Sequence, residues 1–327
     1  MIRIGVIGCG KIAEKHLTAY TKIKGVEITV TDIVGKRKII ARNYDANWHD
    51  NPDELISGNT VDAIDICIPT PLHAEVILKA LNRGKHIFCE KPLARNLEES
   101  LQIREKAAQS DKIVMVGHLY RFHSAFRFAR DIIKENIIGE PYYAIFRLGG
   151  RGSHKSWKHK RESGGGAGSE MLVHILDLIL WYFDEIKDAK NLYSDVILKE
   201  RRIEGKNIVV DAEDVILLKL ETKEGVKVLC ESDLATPSYM NYIEVHGTNG
   251  SLWTSILDYF PTIVYCEEPR GVYERGNNFF QFPKIDLFEK ELSHFIECIK
   301  NDEKPTLNSV EDSVKIMNLL QSIVREK

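Results

Sequence analysis

Lys91 follows the apolar run Ile87-Phe88-Cys89 and Glu90, and it precedes Pro92. A strand therefore delivers its ammonium to the end of a sheet, and the proline restricts its backbone to an extended form. A cation so placed can hold a substrate hydroxyl, stabilise oxyanion character and shift the proton affinity of its neighbours. A second constellation runs from Gly164-Gly165-Gly166-Ala167-Gly168-Ser169-Glu170 on to His174 and Asp177. Ser169 or a neighbouring glycine can cap a helix there. Glu170, His174 and Asp177 then recur at i, i+4 and i+7 and share one face, while Met171, Ile175 and Leu178 line another as core. Polar groups on one stripe of an otherwise apolar helix are costly unless they meet partners, water or a ligand. A histidine flanked by carboxylates is suited to moving a proton near working pH. Taken singly, a solvated lysine and a satisfied buried histidine are the plainer readings. The spacing lacks a third strong ligand or an HExxH pattern, so no metal is expected.

The elements that must position these groups begin at the first residues. Ile2-Arg3-Ile4-Gly5-Val6-Ile7-Gly8-Cys9-Gly10-Lys11-Ile12-Ala13 reads as a buried strand, a glycine turn and a helix start. Gly8 permits the tight turn, Gly10 lets backbone approach a pyrophosphate, and Ala13 lets helix and strand pack closely. The free N–H groups of Lys11 and Ile12 at the helix start face phosphates. Residues 26–31 form a second strand ending at Asp32, about 20 residues on, where a carboxylate accepts ribose hydroxyls. That acid favours NAD; Lys36 and Arg37 close behind leave NADP possible.

Helix 36–44, a turn and short helix from Asn51, strand 61–68, helix 73–83 closed by Gly84, strand 85–90, helix 97–110 and strand 112–117 follow. This alternation means a doubly wound parallel sheet to about residue 120. Its strand ends place Pro69-Thr70-Pro71-Leu72-His73 and Glu90-Lys91-Pro92 where ligands bind. From Tyr142 strand-like runs succeed one another, at 142–149, 191–199, 208–221, 226–234, 240–246, 250–257 and 262–267, implying a large, mostly antiparallel open sheet backed by helices. Leu287–Ile299 and Val310–Arg325 carry helical periodicity. The expected division is an α/β nucleotide-binding domain at 1–120 and an α+β substrate and oligomerisation domain at 121–327, its last helix free to pack back on the first.

The bulk composition narrows the function classes. At 327 residues, 43% hydrophobic and 28% charged, the chain suits a two-domain globular protein. A net charge of -3 gives no pull towards nucleic acid or anionic membrane. The longest apolar run, Met171–Phe183, is broken by His174 and Asp177 and is too short to span a bilayer. The N-terminus lacks the pattern of a signal peptide, and six scattered cysteines suit a reducing compartment, so a cytoplasmic location is expected.

Together these segments resemble the glucose-fructose oxidoreductase / inositol dehydrogenase / MocA family. The likeness rests on Gly8–Ala13, Ile68–His73, Glu90-Lys91-Pro92, Val116-Gly117-His118-Leu119-Tyr120-Arg121-Phe122 and Gly164–Asp177, with weaker support from His246–Ser251 and Glu291–Phe295. The resemblance implies a Rossmann domain holding NAD or NADP through Gly8, Gly10, Lys11, Ile12, Asp32, Pro69, Thr70, His73, Glu90 and Lys91. It further implies hydride transfer between a sugar, nucleotide-sugar or cyclitol carbon and nicotinamide. Lys91 then orients substrate, and His174 takes the hydroxyl proton with help from Glu170. Glu170 stands where many members carry Asp, and Leu172 where many carry glycine. Asp177 binds substrate or braces the helix, and Tyr120 and Arg121 match substrate-facing positions, with domain packing as their alternative. The basic loop Arg151–Arg161 around Trp157 is either a solvated loop or a clamp for an anionic substrate. Two other activities stay open: a lyase or glycosidase that oxidises its sugar transiently with bound NAD, and an NAD-bound sensor without turnover. The open sheet face suits a homodimer or homotetramer.

Overall fold

Ile2–Ile7 (β1) is apolar along almost its whole length and buried on both faces, which is the pattern of a central parallel strand. The computed structural model describes residues 1–151, 155–237, 241–257 and 259–325. They form two units, residues 1–119 with 286–317 and residues 120–285 with 318–327.

In the first unit, β1 is followed by α1 (Lys11–Tyr20), β2 (Val26–Thr31), α2 (Ile39–Asn43), β3 (Asn47–Trp48), α3 (Pro52–Ser57), β4 (Ala63–Ile66), α4 (His73–Asn82), β5 (His86–Glu90), α5 (Leu97–Ala108) and β6 (Val114–Gly117). All sheet pairs are parallel, in the order β3-β2-β1-β4-β5-β6. Neighbouring strands β1 and β4 are the switch point of this doubly wound sheet, where the strand order reverses. Ile64, Ile66, Ile87 and Val116 pack with Ile77, Leu81 and Ile103 in one apolar core.

Residues 286–317, placed by sequence in the second domain, belong to this first unit. They carry α8 (Leu287–Asn301) and the start of α9 (Val310–Arg325). Asp286 caps α8 by accepting from Glu289 N and pairs with Lys22 at the end of α1. Phe295 meets Phe88 edge to face at 5.6 Å, and Val310 and Val314 join the apolar core. The core of the parallel sheet is completed by residues far away in sequence.

The second unit holds α6 (Ser124–Lys134), β7 (Pro141–Gly149), α7 (Val173–Phe183), β8 (Ile186–Asp195), the hairpin β9 (Glu200–Ile203) and β10 (Lys206–Val209), then β11 (Val215–Thr222), β12 (Lys227–Asp233), β13 (Tyr242–Gly247), β14 (Gly250–Ser255), β15 (Thr262–Cys266) and β16 (Gly276–Phe280). Eight of these strands form one sheet, β16-β15-β14-β13-β7-β12-β11-β8, antiparallel except for the β7–β12 pair. Ala144, Phe146 and Leu148 of β7 are buried, while Tyr143, Ile145 and Arg147 alternate with them on the more open face.

The run expected as one strand over 208–221 is two, because Asp211-Ala212-Glu213-Asp214 interrupts it. Asp214 is buried, and its carboxylate accepts from Ile197 N and Leu198 N, past the end of β8, at 2.7 and 2.8 Å. The strand expected at 191–199 runs instead over 186–195. Helix α6 and strand β16 were not anticipated. In α6 the buried Ala125, Phe126, Ala129, Ile132 and Ile133 do follow helical spacing. Residues 152–154 of the basic loop and residue 240 of the strand expected at 240–246 lie outside the described residues.

Candidate active site

The glycine turn has the geometry its residue types demand. Gly8 sits at φ +94°, and a Cβ there would lie 2.6 Å from the Cys67 carbonyl oxygen, so no other residue fits unstrained. Gly10 precedes α1 with no side-chain cap, and a Cβ built on it meets nothing within 4 Å. The uncapped N–H groups of α1 therefore open onto space that a pyrophosphate can enter, with the positive end of the helix behind it. Ala13 is fully buried against the strand, as close packing requires. Asp32, just past β2, is buried and already engaged. It accepts from Cys9 N at 2.8 Å, Val34 N at 2.7 Å and Arg37 Nη1 at 2.8 Å. A carboxylate has about four lone-pair sites, so these three bonds would leave one for a ribose hydroxyl. These residues fit an adenine dinucleotide.

At the end of β5, Lys91 N donates to Glu90 Oε2 at 3.2 Å, and the Lys91–Pro92 peptide is cis. The other oxygen of Glu90 lies 3.1 Å from His16 Nε2, and His16 Nδ1 lies 2.9 Å from Asp65. His16 and Asp65 are wholly buried. Burial alone would lower the proton affinity of His16, but Asp65, aided by Cys67, outweighs it and lifts the imidazole well above its ordinary value. Burial likewise pushes Glu90 up, yet the His16 bond prevails and holds its carboxyl below the usual range. His16, Asp65 and Cys67 have donor atoms within 4.8 Å of one another. Their closest contacts are hydrogen-bond lengths, 2.9 Å for N–O and 3.3 Å for N–S. This array was missed from sequence. The available signal was Asp65, a lone carboxylate in the centre of an apolar strand, which must find a partner.

His73, expected against the cofactor, is held within the protein. Its ring nitrogens lie 2.9 Å from the carbonyl oxygens of Pro92 and Ile68, and it is 1% exposed. Burial lowers its proton affinity, and the neutral ring, lodged between the Pro69-Thr70-Pro71 segment and the Lys91–Pro92 turn, donates its one N–H to one of these carbonyls. Pro69 precedes, and Thr70 opens, a short 3-10 turn at the carboxyl end of β4. Both segments thus lie at the strand ends nearest the switch point.

In the second unit the glycine run does not begin with a Ser169 cap. Residues Gly168–Leu172 form a π-helical turn, and α7 starts only at Val173. Glu213, from the segment before β11, takes the exposed N–H groups instead: its carbonyl accepts from Ala167 N at 2.7 Å and its carboxylate from Gly168 N at 3.3 Å. A Cβ on Gly166, at φ +115°, would strike that carboxylate at 2.6 Å, which explains the glycines. The i, i+4, i+7 spacing therefore holds for His174 and Asp177 but not for Glu170, which sits in the wider turn.

Each polar group of that segment has its own partner. Glu170 pairs with Lys158, whose ammonium lies 5.3 Å from the centre of the Trp157 ring. His174 packs against Tyr120, ring centres 4.8 Å apart. Asp177 is paired with Arg121 at 2.7 Å, and both are buried, with the guanidinium over Trp181. Of the two roles expected of Asp177, this geometry is that of a brace. Arg121, expected to face substrate, is its partner within the same unit. The basic loop is also largely neutralised: Lys155 pairs with Glu204 and Lys160 with Asp211, as Lys158 does with Glu170.

A six-stranded parallel sheet with a bare phosphate turn and an acid after β2 defines a dinucleotide-binding domain. Comparison with known proteins agrees. The model of an oxidoreductase family with an NAD-binding Rossmann fold, GFO/IDH/MocA, matches residues 2–118, and that of the GFO/IDH/MocA C-terminal domain matches residues 126–253. An inositol 2-dehydrogenase/D-chiro-inositol 3-dehydrogenase of Shouchella clausii is 30% identical over 92% of this chain and 85% of its own. A scyllo-inositol 2-dehydrogenase (NAD(+)) of Bacillus subtilis is 28% identical over 96% of this chain and 91% of its own. A levoglucosan dehydrogenase solved with NADH and L-sorbose has the same fold, with a TM-score of 0.90, 22% identity and coverage of 99% of this chain and 96% of that one. The chain belongs to the GFO/IDH/MocA family of NAD(P)-dependent oxidoreductases. Its family is one of oxidoreductases with an NAD-binding Rossmann domain.

Proposed function

We propose that the substrate is a cyclitol or sugar, oxidised at a ring hydroxyl with NAD. Lys91 holds the reacting hydroxyl, His174 removes its proton, and Glu170 assists His174 or binds a neighbouring hydroxyl. The observation that carries this reading is the turn at Lys91, tied through Glu90 on one side and meeting His73 at the Pro92 carbonyl on the other, at the carboxyl end of a parallel strand. Bound nicotinamide supplies the two-electron acceptor. The chain's own groups hold the alcohol, carry off its proton and stabilise developing oxyanion character. The names of the inositol and levoglucosan dehydrogenases support a polyhydroxylated ring.

The test is NADH absorbance across a panel of inositols, aldoses and nucleotide sugars. NADH formed with a cyclitol or sugar is expected; release of an aglycone without net NADH would make the chain a transient-redox lyase. Binding of NAD without turnover of any member would make it a sensor.

NADP is proposed as a second, weaker cofactor because Arg37 stands beside Asp32. The uncovered face of the large sheet exposes Tyr193, Leu229, Tyr265 and Phe279, and we assign it to a second copy of the chain. Sedimentation of wild type against Leu229→Glu tests this: a dimer or tetramer reduced to monomer is expected, and a monomeric wild type contradicts it. All six cysteines are buried thiols and no described helix is long and apolar enough to cross a membrane, which fits the cytoplasmic location proposed.

A further inference from the structure

His16 lies one helical turn beyond the phosphate turn, and both of its ring nitrogens face carboxylates from neighbouring strands, Asp65 of β4 and Glu90 of β5. Its ring is wedged edge to face on Phe88 at 5.4 Å and against Phe288 of α8 at 5.5 Å. These contacts and the two acids hold the ring between β4, β5 and α8. A neutral imidazole carries one N–H and can donate to only one acceptor. Two contacts to acidic groups require a proton on each nitrogen, or a protonated carboxyl in the core. Glu90 in turn is held by two bonds, His16 Nε2 on one oxygen and Lys91 N on the other.

We propose that His16 is a positioning residue for Lys91: by bridging Asp65 and Glu90 it fixes the carboxylate that holds the Lys91 backbone. This inference rests on the reading that Lys91 serves the reaction. The chain of contacts runs from the helix that receives the dinucleotide phosphates, through the sheet core, to the residue that meets substrate. The titratable groups against His16 are Asp65 of β4, Cys67 just past it and Glu90 at the end of β5; behind them, Tyr20 of α1 and Glu291 of α8 act on Asp65's side and Lys91 acts on Glu90. Among them the carboxylate of Asp65 does most to keep the ring charged. Glu90 is thereby held ionised, with an oxygen available to the Lys91 N–H.

The experiment compares full-length wild type, His16→Gln, Glu90→Gln, the double variant and Lys91→Ala on the best substrate of the sugar and cyclitol panel. His16→Gln is expected to lower kcat about ten- to a hundredfold, the scale of misplacing a reacting group, with NAD affinity unchanged. Because His16 acts through Glu90, the double variant should be no slower than the slower single. A wild-type kcat in His16→Gln, or losses that multiply, would overturn the proposal. Should His16→Gln not fold, the ring nitrogen NMR shifts of His16 in wild type decide: both nitrogens protonated from pH 6 to 8 support the bridge, and a neutral tautomer at pH 7 refutes it. Lys91→Ala separates the two claims. A wild-type rate in that variant removes the role of Lys91 itself, whereas a dead Lys91→Ala beside a fully active His16→Gln removes only the positioning role.

Discussion

Asp32 braces the fold at the position where the proposed cofactor's ribose would lie. Its bonds to Cys9 N and Val34 N brace the turn, while Arg37 covers its exposed side. Asp32→Ala is expected to weaken NAD binding and relax discrimination against NADP, and Arg37→Ala to sharpen the preference for NAD by baring the acid. Calorimetric titration of each variant with both cofactors checks this; unchanged affinities would mean the ribose is held elsewhere. The buried array adds a pH signature. Glu90, lowered in the fold, contributes stability that is present above its unfolded value, near 4.5, and is lost as pH falls through the native value. His16, raised in the fold, contributes stability that is complete below its unfolded value, near 6.5, and is lost only as pH rises through the raised one. Stability should therefore fall in acid more steeply in wild type than in Glu90→Gln, as urea midpoints between pH 3 and 6 would show.

At the scale of elements, α7 is an apolar helix that carries its polar groups only because other elements answer them. The Arg121–Asp177 pair is buried, so removing one partner strands a charge. Asp177→Ala should cost about 3–5 kcal/mol, measured by urea unfolding, and Arg121→Ala a similar amount. A cost near zero would mean that the pair is solvated and α7 is braced otherwise. The strand-turn-helix of Ile2–Ala13 and the strand delivering Lys91 were legible from the sequence, since apolar runs and glycine positions are local signals. The π-helical turn was not, because it depends on Glu213, more than forty residues on, occupying the N–H groups that an ordinary cap would take. The split of 208–221 and the pairing of Arg121 with Asp177 were hidden for the same reason: the deciding partner is remote.

For the whole molecule, residues 286–317 complete the nucleotide-binding unit although sequence order sets them after the large sheet. The amphipathic periodicity of α8 and α9 revealed helices but not the surface they cover. The most direct measurement is turnover of Lys91→Ala and His174→Ala on the substrate that wild type oxidises best, with NAD affinity determined in parallel. Each variant is expected still to bind NAD and to lose at least about a hundredfold in kcat, the scale of general acid–base groups. A wild-type-like rate in either variant would contradict the account.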